Sequence, residues 1–207
     1  SILARAALHP GPGPRSILAR GRAPSWPGAA LHPGRPAARP AGPVGYREPV
    51  TSPPFDAQAY LAEPGRPAQV AAVSAAGVPL LGSLWFAFER GRFWFSSMAG
   101  SPLPQAAARG APIAVLVDDF TPPHSIRQVR TRGRGQVEPH DAAVVQRIYG
   151  RYLGPDPGQW PGFFRARTPD SERWVLWSAG PDSGLIVTSP QFLADELRWQ
   201  KPADSPL

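Results

Sequence analysis

Apolar residues recur at every second position in several stretches of this chain. Leu80, Leu84, Phe86 and Phe88 share the even face of residues 79–88, which predicts one strong strand. Glu89-Arg-Gly91 supplies a tight hairpin, and Phe93-Trp-Phe95 continues as the next strand. Residues 69–75 form a small-residue strand that ends near a turn at Gly77. Ile113-Ala-Val-Leu-Val117 is an unbroken apolar run, which predicts a strand buried on both sides. Residues 125–137 predict a long polar strand, with Ile126, Gln128, Arg130, Arg132 and Arg134 on one face and Val129, Thr131 and Val137 on the other. Residues 174–177 and 185–188 predict the last two strands, joined by a Pro-Asp-Ser-Gly turn.

Helical spacing is confined to shorter stretches. Phe55, Ala59 and Ala62 lie near one face of a helix at 55–63, stopped before Pro64. A loop and a short Ala-rich helix occupy 101–109. Val144, Val145, Ile148 and Tyr152 mark a helix at 140–153 that starts at Pro139. Residues 157–164 form a short aromatic-rich segment. Consecutive antiparallel strands with helices inserted between them predict a small closed barrel, mainly β within the α+β class.

Composition changes the picture at the N-terminus. Proline makes up 29 of 207 residues, against about 5% in average usage. Residues 1–47 contain nine of these prolines, seven arginines, no lysine and no acid. The whole net charge of +7 therefore sits there, and 48–207 carry equal numbers of acidic and basic residues. Ser1-Ile-Leu-Ala-Arg5 returns at 16–20 and Ala6-Ala-Leu-His-Pro-Gly11 at 29–34, without a fixed period. Such a stretch reads as a disordered basic tail or as translated upstream sequence. A basic arm for nucleic acid or anionic lipid and a transit peptide are its other readings. Residues 48–207 form the folded domain, and their neutrality argues against nucleic acid as a partner. The longest nearly apolar stretch, residues 80–88, is far shorter than the ~20 residues that span a bilayer. No membrane partner is expected, and the cytoplasm is the expected compartment.

Candidate chemistry is sparse. There is no cysteine, which removes disulfides, thiolate metal sites and thiol nucleophiles. His124 and His140 lack metal-ligand spacing. Asp118-Asp119 is read as turn capping rather than an acid/base pair. No nucleophile elbow, phosphate loop or dinucleotide fingerprint is present. What remains is a polar and aromatic set on neighbouring strands: Ser83 and Trp85, then Ser96, Ser97 and Ser101, then Gln128 and Arg130, then Trp174 and Trp177. Hydroxyls, amides, a guanidinium and indoles are the lining that a flat heteroaromatic cofactor with a phosphate tail requires.

These pieces occur in a telling order: Tyr60-Leu-Ala-Glu63, Ser83-Leu-Trp-Phe86, Gly91-Arg-Phe-Trp-Phe-Ser-Ser97 with Ser101, Ala111-Pro-Ile-Ala-Val115, and Arg127-Gln-Val-Arg130 with Gly133. Over about residues 55–190 the chain resembles the FMN-binding split-barrel family, the pyridoxamine 5'-phosphate oxidase-like and deazaflavin-dependent oxidoreductase group. The resemblance implies an antiparallel split barrel, a homodimer, and FMN or a deazaflavin in the groove between subunits. It implies that Ser96, Ser97 and Ser101 serve the phosphate and Gln128 the ring, with hydride passing to or from a small-molecule substrate. Ser83, Trp85, Arg130 and Trp177 complete the expected lining. The usual phosphate-gripping charges are absent, since Pro102-Leu-Pro-Gln105 holds no basic residue and residues 79–88 hold no Arg or Lys. Arg109 or Arg130 is the candidate substitute, and a barrel that has lost its cofactor is the rival reading.

The tail reading has a direct consequence. Residues 1–47 lack the apolar content to offset ordering entropy. A chain starting at Glu48 is expected to melt within a degree or two of the full chain, as calorimetry would register; a large loss of stability would overturn the assignment.

Overall fold

The computed structural model describes residues 53–121, 125–169, 172–188 and 195–207. The tail at 1–47 and His124 lie outside the described residues. Helix α1 (Ala57–Ala62) starts where the Asp56 carboxylate accepts from the Ala59 N–H at 2.9 Å, as an N-cap should. There follow β1 (Ala68–Val73), β2 (Pro79–Leu84), β3 (Ala87–Glu89), β4 (Arg92–Met98), α2 (Pro102–Ala108), β5 (Pro112–Thr121) and β6 (Ser125–Glu138). Helix α3 (Ala142–Leu153), a 3-10 turn at Pro157–Gln159, α4 (Gly162–Arg165), β7 (Trp174–Thr188) and β8 (Asp195–Trp199) complete the order.

All eight strands form one antiparallel sheet in the order β2-β1-β5-β6-β7-β4-β3, with β8 added on β7. Strands β2 and β3 lie at opposite ends of that order, yet only Trp85 and Phe86 separate them in the chain. Three residue steps span at most about 11 Å. The sheet must therefore curl until its edges meet, which makes a barrel closed by a covalent link and split where no ladder joins β2 to β3. The chain has the mainly β, split-barrel architecture that the resemblance implies, with short helices inserted.

Alternation sorts the side chains into two cores. Val70, Phe93, Phe95, Val115, Val117, Val129, Trp177 and Ile186 fill the barrel interior. Trp94, Leu176 and Ala87 face outward into a second cluster, covered by Val144, Val145, Ile148 and Tyr149 of α3 and by Trp160. Helix α3 thus seals one half of the barrel wall.

Several expected elements differ. Residues 79–88 are two strands, because the run changes sheet edge at Trp85-Phe86. Strand β5 buries only Ile113, Val115 and Val117, while Ala114 is exposed and Leu116 half-buried; among the described residues nothing covers its outer face. Asp118-Asp119 lies within β5 and is no turn. Helix α3 is capped by Asp141, whose carboxylate accepts from Ala143 and Val144 N–H groups, and Tyr149 rather than Tyr152 completes its buried stripe. Residues 174–188 are one continuous strand, and β8 was not foreseen.

The Pro181-Asp-Ser-Gly184 stretch stays in β7 because β6 makes room for it. The ladder shifts register between Arg132 and Gly133, and Gly133 faces Pro181. A bulge absorbs a proline that has no N–H to donate. A Cβ on Gly133 would sit 1.7 Å from the Gly180 carbonyl oxygen, so only glycine permits this approach. Gly133→Ala is expected to destabilise the fold by about 3 kcal/mol, the upper part of the overpacking range. Denaturant midpoints would register it; a loss below about 1 kcal/mol would mean the two strands part freely.

Candidate functional site

Among the described residues the other half of the wall is bare. Its register aligns side chains of six strands in rows. One row runs Ser83, Gln69, Leu116, Arg130, Leu185, Arg198 across β2, β1, β5, β6, β7 and β8. The next runs Leu81, Ala71, Ala114, Arg132, Ser183. Between them lies a groove of about 420 Å³, lined by these residues other than Ser83, with Gln200. Leu81 is 76% exposed, a large apolar surface for a strand side chain to leave in water. A third row, Asp118, Gln128, Val187, Glu196, borders the groove.

Three of the eight candidate residues meet on this face. Ser83 accepts from the Gln69 amide at 3.3 Å. Gln128 is buried, and Arg130 donates to its Oε1. The other five lie elsewhere. Trp177 is fully enclosed in the barrel, stacked on Phe95 at 4.4 Å, and donates its indole N–H to Ser97 Oγ at 3.1 Å. Ser96 Oγ pairs with the Tyr149 hydroxyl at 3.2 Å beneath α3. Ser101 precedes α2 without a side-chain cap bond. Trp85 stacks on Tyr152 at 4.7 Å and on Phe164 at 5.0 Å. Arg109 donates to the Gln105 and Val73 carbonyls and is not part of the groove lining. Sequence reasoning missed Gln69, Leu116, Leu185, Arg198 and Gln200. For the last two a signal existed: Leu197 and Trp199 alternate with Glu196, Arg198 and Gln200.

A second polar cluster fastens one end of the barrel. Asp119 bonds Arg127 at 2.7 Å and Arg66 at 3.2 Å; Glu63 pairs with Arg66 and, at 3.2 Å, with Arg127. Both guanidinium groups lie against the Tyr60 ring, at 4.5 and 4.7 Å. Hydrogen bonds from Arg127 hold the Asp119 carboxyl below its usual value, and those from Arg66 do the same for Glu63. Burial pushes the Tyr60 hydroxyl up, and that hydroxyl donates to the Arg127 carbonyl at 3.1 Å. Asp118 and Asp119, one residue apart on a strand, point to opposite faces and share no proton. Among the described residues no group of three His, Cys, Asp or Glu is placed to hold a metal ion, and no helix is long and apolar enough to cross a membrane.

No family model matches the chain, and no curated protein does. Solved structures match its fold. The conserved hypothetical protein Rv2991 from Mycobacterium tuberculosis is 18% identical, with 70% of this chain and 83% of its own covered, at a TM-score of 0.50. A heme binding protein from Mycobacterium smegmatis is 10% identical over 73% of this chain and 59% of its own, at 0.52. An F420 reductase is 22% identical over 60% of this chain and 93% of its own, at 0.44. The fold is that of the split-barrel group the sequence resembles.

The acidic cluster carries a pH signature. Both carboxyls are depressed in the fold, so their contribution is present above the ordinary carboxylate range near pH 4 and is lost as pH falls through the depressed values. Asp119→Asn is expected to lower the urea midpoint at pH 7 and to differ much less from the parent at pH 3. An equal gap at both values would show that ionisation is irrelevant there.

Proposed function

We propose that this chain is a cytoplasmic, homodimeric oxidoreductase that holds FMN, or a deazaflavin, against the bare half of its barrel and acts on a small organic substrate. The observation that carries the reading is the groove itself. Its floor of Leu81, Ala71, Ala114, Leu116 and Leu185 suits a flat ring, and Arg130, Arg132 and Arg198 bring guanidinium groups to the same concavity, as an anionic tail requires. Gln69 and Gln200 add amide groups for ring edges. The cofactor would supply hydride transfer; the chain would bind it, orient it and keep water from one face.

A second copy completes such a site. The bare face carries Leu81, Leu116, Leu185 and Phe120, the last 63% exposed. Its rows run from Asp118 and Glu196 at one end to Arg132 and Arg134 at the other. A two-fold apposition of two such faces sets acids against arginines, as an isologous interface requires.

The cofactor-free binding module is the second reading. It is favoured by the absence of Arg and Lys from β2 and by the engagement of Ser97 with Trp177 inside the barrel. A haem reading has less support: among the described residues lining the groove there is no His, Met, Cys or Tyr to ligate the iron.

Titration with FMN and with the deazaflavin, read by ligand fluorescence, decides between the readings. Quenching is expected, and Arg130→Ala should weaken binding roughly tenfold, about 1.4 kcal/mol; Arg134→Ala, outside the groove, should change it little. Absence of quenching by either ligand would leave the cofactor-free module.

A further inference from the structure

A second groove, on the α3 side of the barrel, is independent of the first. It measures about 590 Å³ and runs between α3, β3 and the Pro155–Pro157 turn. Ala62, Ala87, Phe88, Pro155, Pro157 and Trp160 give it mostly apolar walls. At one rim Arg147 and Glu89 satisfy each other through two bonds of 2.7 and 2.8 Å. The remaining cation in the lining, Arg151, has no such partner among the described residues.

Arg151 is half-buried. Its guanidinium lies over the Phe86 ring at 4.3 Å and donates to two neutral acceptors, the Phe86 carbonyl at 2.9 Å and the Glu63 carbonyl at 2.7 Å. Its Nε–H is sealed from solvent and has no acceptor among the described residues, so the donors left for a ligand are the remaining Nη–H bonds. Among the described residues no carboxylate pairs with it. A guanidinium has five N–H bonds, and two are used here. A half-buried charge compensated only by carbonyl dipoles and a ring face is costly. Burial accordingly pulls its proton affinity down, and a second cation, Arg66, acts in the same direction.

We infer that this groove is a binding site for a small monocarboxylate with an apolar body, its carboxylate neutralising Arg151 and its body lying against Trp160 and Phe88. A single guanidinium with donors to spare matches one planar, singly charged carboxylate; a phosphate dianion calls for more positive charge than the lining offers, because Arg147 is already engaged by Glu89.

Octanoate is the probe, with octanamide as the neutral control of equal length. Calorimetric titration of the full chain should show octanoate binding with octanamide at least tenfold weaker. Arg151→Met should weaken octanoate tenfold or more and erase its advantage over the amide. Because Arg151 also supports the backbone at Phe86, that variant risks misfolding, so Gly150→Leu is the second test. Gly150 lines the groove and a Cβ there would lie 3.8 Å from Trp160. The larger side chain occupies the part of the groove beside Trp160, leaves Arg151 in place and should weaken binding tenfold or more while melting no lower than the parent. The proposal is overturned if octanoate does not bind, if octanamide binds as tightly, or if folded Gly150→Leu binds octanoate unchanged. None of these outcomes depends on the flavin groove.

Discussion

Two residues, Trp85 and Phe86, carry the chain from one edge of the sheet to the other, and no backbone ladder holds the edges together there. The end of α3 does so instead. Arg151 donates to the Phe86 carbonyl, and the Tyr152 hydroxyl accepts from the Phe86 N–H at 3.3 Å and donates to the Arg66 carbonyl at 2.7 Å. The Trp85 ring lies parallel to Tyr152, with 4° between their planes. Hydrogen bonds from a charged donor are worth about 1.5–3 kcal/mol, and stacked rings add about 0.5–1.5 kcal/mol beyond burial. Helix α3 is therefore both the cover of one half of the wall and the clasp that closes the barrel.

That division explains where function has room. A closed barrel has two outer halves, and α3 occupies one. The other presents small and aliphatic side chains with a row of arginines, held at fixed spacing by the β6 ladder. Strand positions two apart keep Gln128, Arg130, Arg132 and Arg134 on one face, so the site's charge pattern follows from the alternation of a single strand. Trp199, buried against Gly184, anchors the strand that brings Arg198 and Gln200 to the same concavity.

Much of this was legible in the sequence, and the misses have physical causes. The even face of β6 could be read because its polarity alternates without interruption. The sequence predicts Trp177 in the cofactor lining, but residues three apart point to opposite faces, and only the closed barrel shows that the Trp177 face, unlike that of Trp174, is interior. Ser96 and Ser97 divide between the two cores for the same reason. The Pro-Asp-Ser-Gly stretch looks like a turn locally; that it is a bulged strand depends on Gly133, about fifty positions away. Burial of β5 on one side only reflects what does not cover it, and no local pattern records that.

The central claim is that the bare half of the wall is a binding surface for a planar anion of the flavin type. Amide chemical-shift mapping of the isotopically labelled chain during titration with FMN tests it most directly. The largest shifts should fall together at 69–71, 114–116, 130–132, 183–185 and 198–200, five segments brought side by side only by the strand register. Shifts confined to 96–101, or none at saturating FMN, would contradict it.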